Sequence, residues 1–336
     1  MAVIADLSPD ERSARMLLSI LAEPDDPVTG RVLSRVGAVE TLRLVEDDGT
    51  IPGVNRVDTQ VWRDRLALPR RREGVTERMR GIGQSGIMAL VPGDEHWPKA
   101  LNDLGERAPY VLWTRGATSF LARPMTDLVT ITGARAATAY GEHVAGDLAA
   151  DLASSGHVIV AGGAYGIEGA AHRAGLAAGG DTIAVLAGGV DRPYPAGHGD
   201  LLRRIADVGL LVSELPPGSA PTRHRFLARG RLMAALSGAS VVAEAGTRSG
   251  SLHVAAHARA LGRGVGAVPG PVTSVTSAGP HRLLRDGMAQ LVTESADVVR
   301  LLEQDPASRA KVRRSSLGSE FTYRHQHSAD PPGRSL

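Results

Sequence analysis

From residue 127 onward the chain repeats one unit: a short apolar run, a glycine-bearing turn, and an alanine-rich stretch of helical character. The apolar runs are Leu128–Thr132, Val158–Ala161, Thr182–Leu186, Leu210–Ser213, Ser240–Ala243 and Val265–Val268. Several are continuously apolar, as expected of parallel strands covered on both faces. The stretches between them, Glu142–Ser154, Gly166–Ala178, Leu201–Asp207, Arg229–Leu236 and Ser251–Leu261, read as helices. Alternation at this spacing predicts an α/β fold with a doubly wound, mostly parallel, Rossmann-like sheet. Composition agrees: 43% of residues are hydrophobic but only 3% aromatic, so the core must be aliphatic.

Upstream the pattern differs. Ser8 reads as the N-cap of a helix whose apolar run extends from Ala14 to Leu21. A second helix is expected over Arg31–Leu42, with Val32, Leu33, Val36, Val39 and Leu42 at helical spacing around Gly37. Residues 63–80 are arginine-rich and read as a solvated helix or a linker. Residues 1–80 are therefore expected to form a small helical domain. Residues 81–126 read as a lead-in, with strands at Gly86–Val91 and Tyr110–Trp113 and a short helix at Trp97–Leu104; the Rossmann-like domain then runs over 81–303. Residues 304–336 are polar and aperiodic, the signature of a disordered tail. With no cysteine, structural disulfides, thiolate zinc sites and cysteine catalysis are excluded. The first residues lack a signal peptide's basic start and apolar run. No apolar stretch reaches the roughly 18 residues of a membrane span, so a cytoplasmic protein without membrane contact is expected.

Ligands of open α/β sheets sit outside the carboxyl ends of the strands. Here nearly every such end carries glycine: Gly133-Ala134-Arg135, Gly162-Gly163-Ala164-Tyr165-Gly166, Gly188-Gly189-Val190-Asp191, Glu244-Ala245-Gly246-Thr247-Arg248-Ser249-Gly250-Ser251 and Pro269-Gly270-Pro271. Glycine lets backbone N–H groups approach a phosphate, and a helix N-terminus adds a favourable dipole. One such turn is ordinary turn chemistry; a rim of them is an anion site. None fits the dinucleotide fingerprint, and no glycine loop is followed by a Walker lysine, so no cofactor is expected. Positive charge is almost entirely arginine, Lys99 and Lys311 being the only lysines. The densest basic segment, Arg223-His224-Arg225-Phe226-Leu227-Ala228-Arg229-Gly230-Arg231, falls between the fourth and fifth strands on the same rim. A charge run is usually a solvated face, but this one lies where a ligand is expected. The phosphate-binding set expected from the sequence is Gly133, Arg135, Gly162, Gly163, Gly166, Gly188, Arg225, Arg229, Arg231, Arg248, Ser249, Gly250 and Ser251.

Catalytic candidates are few. Asp191, Glu214 and Glu244 end or follow strands, and either act as acid or base or orient loops. His172 lies among alanines and reads as a packed residue more readily than as a ligand. His253 and His257 are four residues apart but lack the zincin glutamate, so no metal site is expected.

Several of these segments together resemble the DprA/Smf family of DNA-processing proteins. They are Gly133 to Gly141, Gly162 to His172, Thr182–Leu186 with Asp191 and Tyr194-Pro195, and Ser213-Glu214 with Pro216-Pro217-Gly218. Phe226 to Ser237 followed by Glu244 to Ser251 is the most diagnostic stretch, with Ala267-Val268-Pro269-Gly270 and Gly279 to Gly287 beyond it. Pro92, Trp97-Pro98, Leu101, Leu104 and Ala108-Pro109 to Arg115-Gly116 fit the family's lead-in. The resemblance spans roughly residues 10–302. It implies a helical N-terminal domain of the SAM or helix-hairpin-helix kind, binding of single-stranded DNA in the Rossmann pocket, a homodimer, and loading of the RecA recombinase in natural transformation. Arg135 would clamp a backbone phosphate, and Arg229 and Arg231 would line the groove. The chain departs from the family pattern at Tyr165, where arginine is usual, and at Gly230 and His281, where asparagine is usual. The tail carries no counterpart of the winged helix many members add. Two alternatives remain open: a nucleotide-binding module, and a nucleotide phosphoribohydrolase, although the P-G-G-x-G-T-x-x-E signature of the latter lacks its glutamate near Glu244–Gly250.

Overall fold

A computed structural model of the protein describes residues 10–47, 49–51, 53–66 and 86–303. The expected boundary near residue 80 and the expected tail over 304–336 lie outside the described residues.

Three helices come first: α1 (Glu11–Leu21), α2 (Pro27–Glu46) and α3 (Arg56–Leu66). The cap of α1 is Asp10 rather than Ser8; its carboxylate accepts from the Ser13 N–H, and the Ser13 hydroxyl reciprocates, forming a capping box. Helix α2 starts on Asp26 with proline in its first turn and is broken at Gly37, whose φ of 78° only glycine adopts freely. The three helices share an apolar core including Leu17, Leu18, Leu21, Leu42 and Trp62, with the Trp62 indole donating to Thr29 Oγ1 at 2.8 Å.

The sheet has nine strands: β1 (Met88–Leu90), β2 (Leu112–Gly116), β3 (Leu128–Thr132), β4 (Val158–Ala161), β5 (Thr182–Val185), β6 (Leu210–Ser213), β7 (Ala239–Val242), β8 (Gly264–Ala267) and β9 (Gln290–Leu291). Their order is β1-β2-β6-β5-β4-β3-β7-β8-β9. All pairs are parallel except β1–β2 and β2–β6. The lead-in therefore adds two antiparallel edge strands to a doubly wound sheet. Seven helices complete the domain: α4 (Ala139–Ser154), α5 (Ile167–Ala177), α6 (Gly199–Val208), α7 (Arg223–Leu236), α8 (Ser251–Ala260), α9 (Ala278–Arg285) and α10 (Ser295–Glu303). Side chains of α7 and α8 pack with Val160, Ile183, Val185 and Val242 on one face. Helices α4, α5 and α10 pack with Val129, Ile131 and Ile159 on the other, which α6 extends over Ala184 and Leu211. Strand order reverses between β3 and β7, so the carboxyl ends of those strands flank the crevice where such sheets bind ligands.

The helical segment docks on the α7 side and the β1–β2 edge. Trp113 Nε1 donates to Ser19 Oγ at 3.2 Å, the Tyr110 hydroxyl to the Glu23 carbonyl at 3.1 Å, and Arg12 to the Ala89 carbonyl at 2.8 Å. Among the described residues no helix is long and apolar enough to cross a membrane.

Candidate nucleic-acid interface

The rim is built on backbone approaches that require glycine. The Ala134 N–H donates to the Glu244 carbonyl at 2.6 Å, tying the turn after β3 to the end of β7. On the other side the Ile167 N–H, opening α5, donates to the Ala134 carbonyl at 3.2 Å. Gly166 permits this: its φ is +70°, and a Cβ there would sit 2.4 Å from the Ala134 carbonyl oxygen. Arg135 is thereby presented outward, exposed, with its guanidinium 4.2 Å from the centroid of the Phe226 ring. A second guanidinium, Arg229, lies 5.3 Å from the same centroid.

Arg229 forms the floor. It donates to the Gly162 carbonyl at 2.6 Å and to both oxygens of Glu168 at 3.1 and 3.3 Å. A Cβ on Gly162 would fall 2.2 Å from the Arg229 Cζ, so only glycine leaves room for the guanidinium. Glu168 also accepts from the Thr132 hydroxyl at 2.9 Å and the Ala164 N–H at 3.1 Å. Burial pushes this carboxyl upward. The Arg229 charge and these two donors outweigh burial and hold it below its ordinary value. Gly162, Gly188, Arg192, Tyr194, Pro221, Phe226 and Arg229 line a small cleft above this floor.

The basic segment is the opening of a helix. Thr222 caps α7, accepting from the Arg225 N–H at 3.3 Å, and the first turn holds Arg223, His224 and Arg225 with no acid. Cations at a helix N-terminus oppose its dipole, so this end favours an incoming anion. Arg223 is exposed there.

Two of the expected groove residues are already held in ion pairs. Arg231 is only 1% exposed. Its guanidinium donates to both Glu214 oxygens at 2.7 and 2.6 Å and to the carbonyls of Arg107 and Ala228, and lies 3.3 Å from Asp25. Arg225 pairs with both oxygens of Glu23 at 2.9 and 3.0 Å. Two residues apart, Arg229 and Arg231 lie about 200° apart around the helix and so face different neighbours. Arg225 and Arg231 pair with Glu23 and Asp25 of the helical segment, and Arg231 also with Glu214, so both cations are already compensated within the fold. The compensating acids are thus Glu23, Asp25, Glu168 and Glu214.

The other expected residues fall at two stations. Gly133, Arg135, Gly162, Gly163, Gly166, Gly188 and Arg229 gather around the β3–β5 ends. Arg248, Ser249, Gly250 and Ser251 lie beyond β7, next to β3, with Arg248 exposed and the Ser249 and Ser251 hydroxyls 2.8 Å apart. Arg192 and Tyr194 belong to the cleft but not to the expected set. Only the sheet order, which brings the turn after β5 beside the start of α7, reveals them.

The acid–base candidates hold loops. Both Asp191 oxygens accept from the Gly218 N–H at 2.9 Å. Glu244 accepts from the N–H and hydroxyl of Thr138 at 2.8 and 2.7 Å and from the Thr276 hydroxyl at 2.9 Å. His172 is fully buried, with Nδ1 2.6 Å from the Thr182 hydroxyl, which itself donates to the Ile159 carbonyl. Nδ1 must therefore carry the proton, and burial above all pushes the imidazole pKa down to about 4.

Residues 88–303 match the family described as DNA recombination-mediator protein A. The chain belongs to this family. A relative from Mycobacterium tuberculosis, described as a putative DNA processing protein DprA, is 55% identical over 224 residues, covering 64% of this chain and 57% of its own length. The chain thus matches little more than half of that relative. The fold superposes on DNA processing protein A (DprA) from Streptococcus pneumoniae with a TM-score of 0.69 at 27% identity, covering 88% of this chain and 99% of that one. It also matches DNA processing protein A from Helicobacter pylori, whose structure is described for its single-stranded DNA binding mode. That match has a TM-score of 0.58 at 31% identity and covers 64% of this chain and 95% of that one.

Proposed function

We propose that this protein grips single-stranded DNA by its phosphate backbone across the rim and holds it for RecA recombinase, as a homodimer in the cytoplasm, in recombination during transformation. The observation that carries the reading is the N-terminus of α7. Its acid-free first turn carries exposed Arg223, and Phe226, on the wall of the glycine-lined cleft, lies under the guanidinium of exposed Arg135. Backbone N–H groups and arginines of this kind read phosphate rather than base edges, so no sequence preference is expected. Asp191, Glu214 and Glu244 are occupied in holding loops and Arg231, which supports binding over acid–base chemistry at this rim. The described Helicobacter pylori structure supports the choice of ligand.

The test is binding of a fluorescent oligo-dT to the wild type and to Arg135→Ala/Arg223→Ala. The reading expects binding by the wild type that the double variant loses while remaining folded. A folded wild type that does not bind at low salt would sink it.

A further inference from the structure

The chain holds only eleven aromatic residues, three of them tryptophan, five tyrosine and three phenylalanine. Trp62, Trp97, Trp113 and Tyr110 are each at most 5% exposed. Yet Tyr140, Tyr165 and Tyr194 stand 41, 46 and 49% exposed. These three follow the carboxyl ends of β3, β4 and β5 respectively. Leaving rings in water forfeits the large burial gain of an aromatic side chain, so three on one rim call for a reason.

Tyr140 is taken: its hydroxyl donates to the Pro269 carbonyl at 2.6 Å and closes the turn after β8. Tyr165 and Tyr194 are different. The Tyr165 hydroxyl accepts from the Gly197 N–H at 3.2 Å, and its ring meets His198 edge-on at 4.6 Å. His198 is in turn fixed by Nδ1, 3.0 Å from the Gly163 carbonyl. A Cβ on Gly197 would lie 2.4 Å from the Tyr165 oxygen, so the backbone there is built to admit that ring. The ring is thus fixed through its hydroxyl and by His198, while the residue stays 46% exposed. Tyr194 sits 5.9 Å from Phe226 at a tilted 58°, on the wall of the phosphate cleft. Gly197, which anchors Tyr165, is three residues from Tyr194, a separation of at most about 11 Å. Tyr165 and Tyr194 therefore lie close enough to meet nucleotides of one strand. Phe226 is not equivalent, because the Arg135 and Arg229 guanidinium groups already crowd it.

We propose that Tyr165 and Tyr194 are base-stacking platforms, so that the rim holds unpaired bases as well as the phosphates between them. The inference rests on the single-stranded DNA reading above and deepens it. Stacking on a tyrosine face needs a base free of its partner and tolerates any base, which makes these residues selective for single strands without sequence preference.

The experiment compares a fluorescent oligo-dT with an abasic oligonucleotide of equal length and charge, on the wild type, Tyr165→Leu, Tyr194→Leu and the double variant. The wild type is expected to prefer oligo-dT. Each leucine should weaken oligo-dT binding about 5-fold or more while leaving abasic binding unchanged. Tyr165→Phe, which keeps the ring, should retain more affinity than Tyr165→Leu. Equal binding of the two oligonucleotides by the wild type would overturn the inference and leave the phosphate reading standing. So would an unchanged preference in the folded Tyr165→Leu variant, which decides the matter even if Tyr194→Leu misfolds. Failure of the folded wild type to bind either oligonucleotide would overturn both.

Discussion

Arg231→Ala separates the fastening arginines from the binding ones. The guanidinium it removes is fully enclosed and makes a two-pronged pair with Glu214, itself only 8% exposed. It also carries the Arg107 carbonyl at 2.8 Å and faces Asp25 at 3.3 Å. Without it two carboxylates remain in one enclosed region, and only Asp25 keeps another cation, Arg107. Deleting one partner of a buried pair costs about 3–5 kcal/mol, most of it the penalty of the charge left behind. Urea titration followed by circular dichroism and tryptophan fluorescence reads this directly. Trp113, bonded to Ser19 at the junction, is well placed to report undocking of the helical segment. Arg231→Ala/Glu214→Leu should recover part of the loss, because it removes the stranded carboxylate with its partner. The folded fraction of Arg231→Ala should still bind oligo-dT. A variant with wild-type stability and no DNA binding would refute the argument and return Arg231 to the groove.

His172 gives a pH dependence of definite sign. Its pKa is about 4 folded and near 6.5 unfolded, so its contribution is intact above pH ~6.5 and is lost as pH falls toward 4. The wild type should lose about 2 kcal/mol more than His172→Gln between pH 7.5 and 5, and equal losses by urea titration at the two pH values would contradict this. Gly166→Ala forces a residue with a side chain to φ +70° and against the Ala134 carbonyl. It should cost about 1–3 kcal/mol and also weaken oligo-dT binding by displacing Arg135; normal stability and affinity would show that the approach is relaxed at no cost. Arg225→Ala removes a partly exposed pair with Glu23 and should cost at most about 1 kcal/mol with affinity unchanged, whereas a large affinity loss would mean that Arg225 contacts DNA.

The parallel sheet was legible because its strands are continuous apolar runs ending on glycine, a pattern local to each segment. All six expected core strands from 128 to 268 correspond to β3–β8 within a residue at either end. Helices α9 and α10 and the two-residue β9 lie beyond the last apolar run and glycine turn from which the repeat was read. The residues at Trp97–Leu104 form a 3-10 helix, Lys99–Arg107, whose spacing blurs a 3.6-residue pattern. The rim glycines were readable for the same local reason as the strands. The roles of the arginines were not. Arg135 and Arg231 look alike in a sequence, and only tertiary contact of Arg231 with Glu214 and Asp25 decides which cation is already neutralised. Tyr194 was legible as a motif, but its place beside Phe226 depends on the order of β4, β5 and β6.

The most direct test of the central claim is the salt dependence of oligo-dT affinity for the wild type and for Arg135→Ala. Log affinity should fall linearly with log salt for the wild type, and the slope should shrink by about 0.7 in the variant, the contribution of one phosphate contact on a single strand. An unchanged slope in a folded Arg135→Ala protein, or a wild-type affinity indifferent to salt, would contradict the phosphate-binding rim.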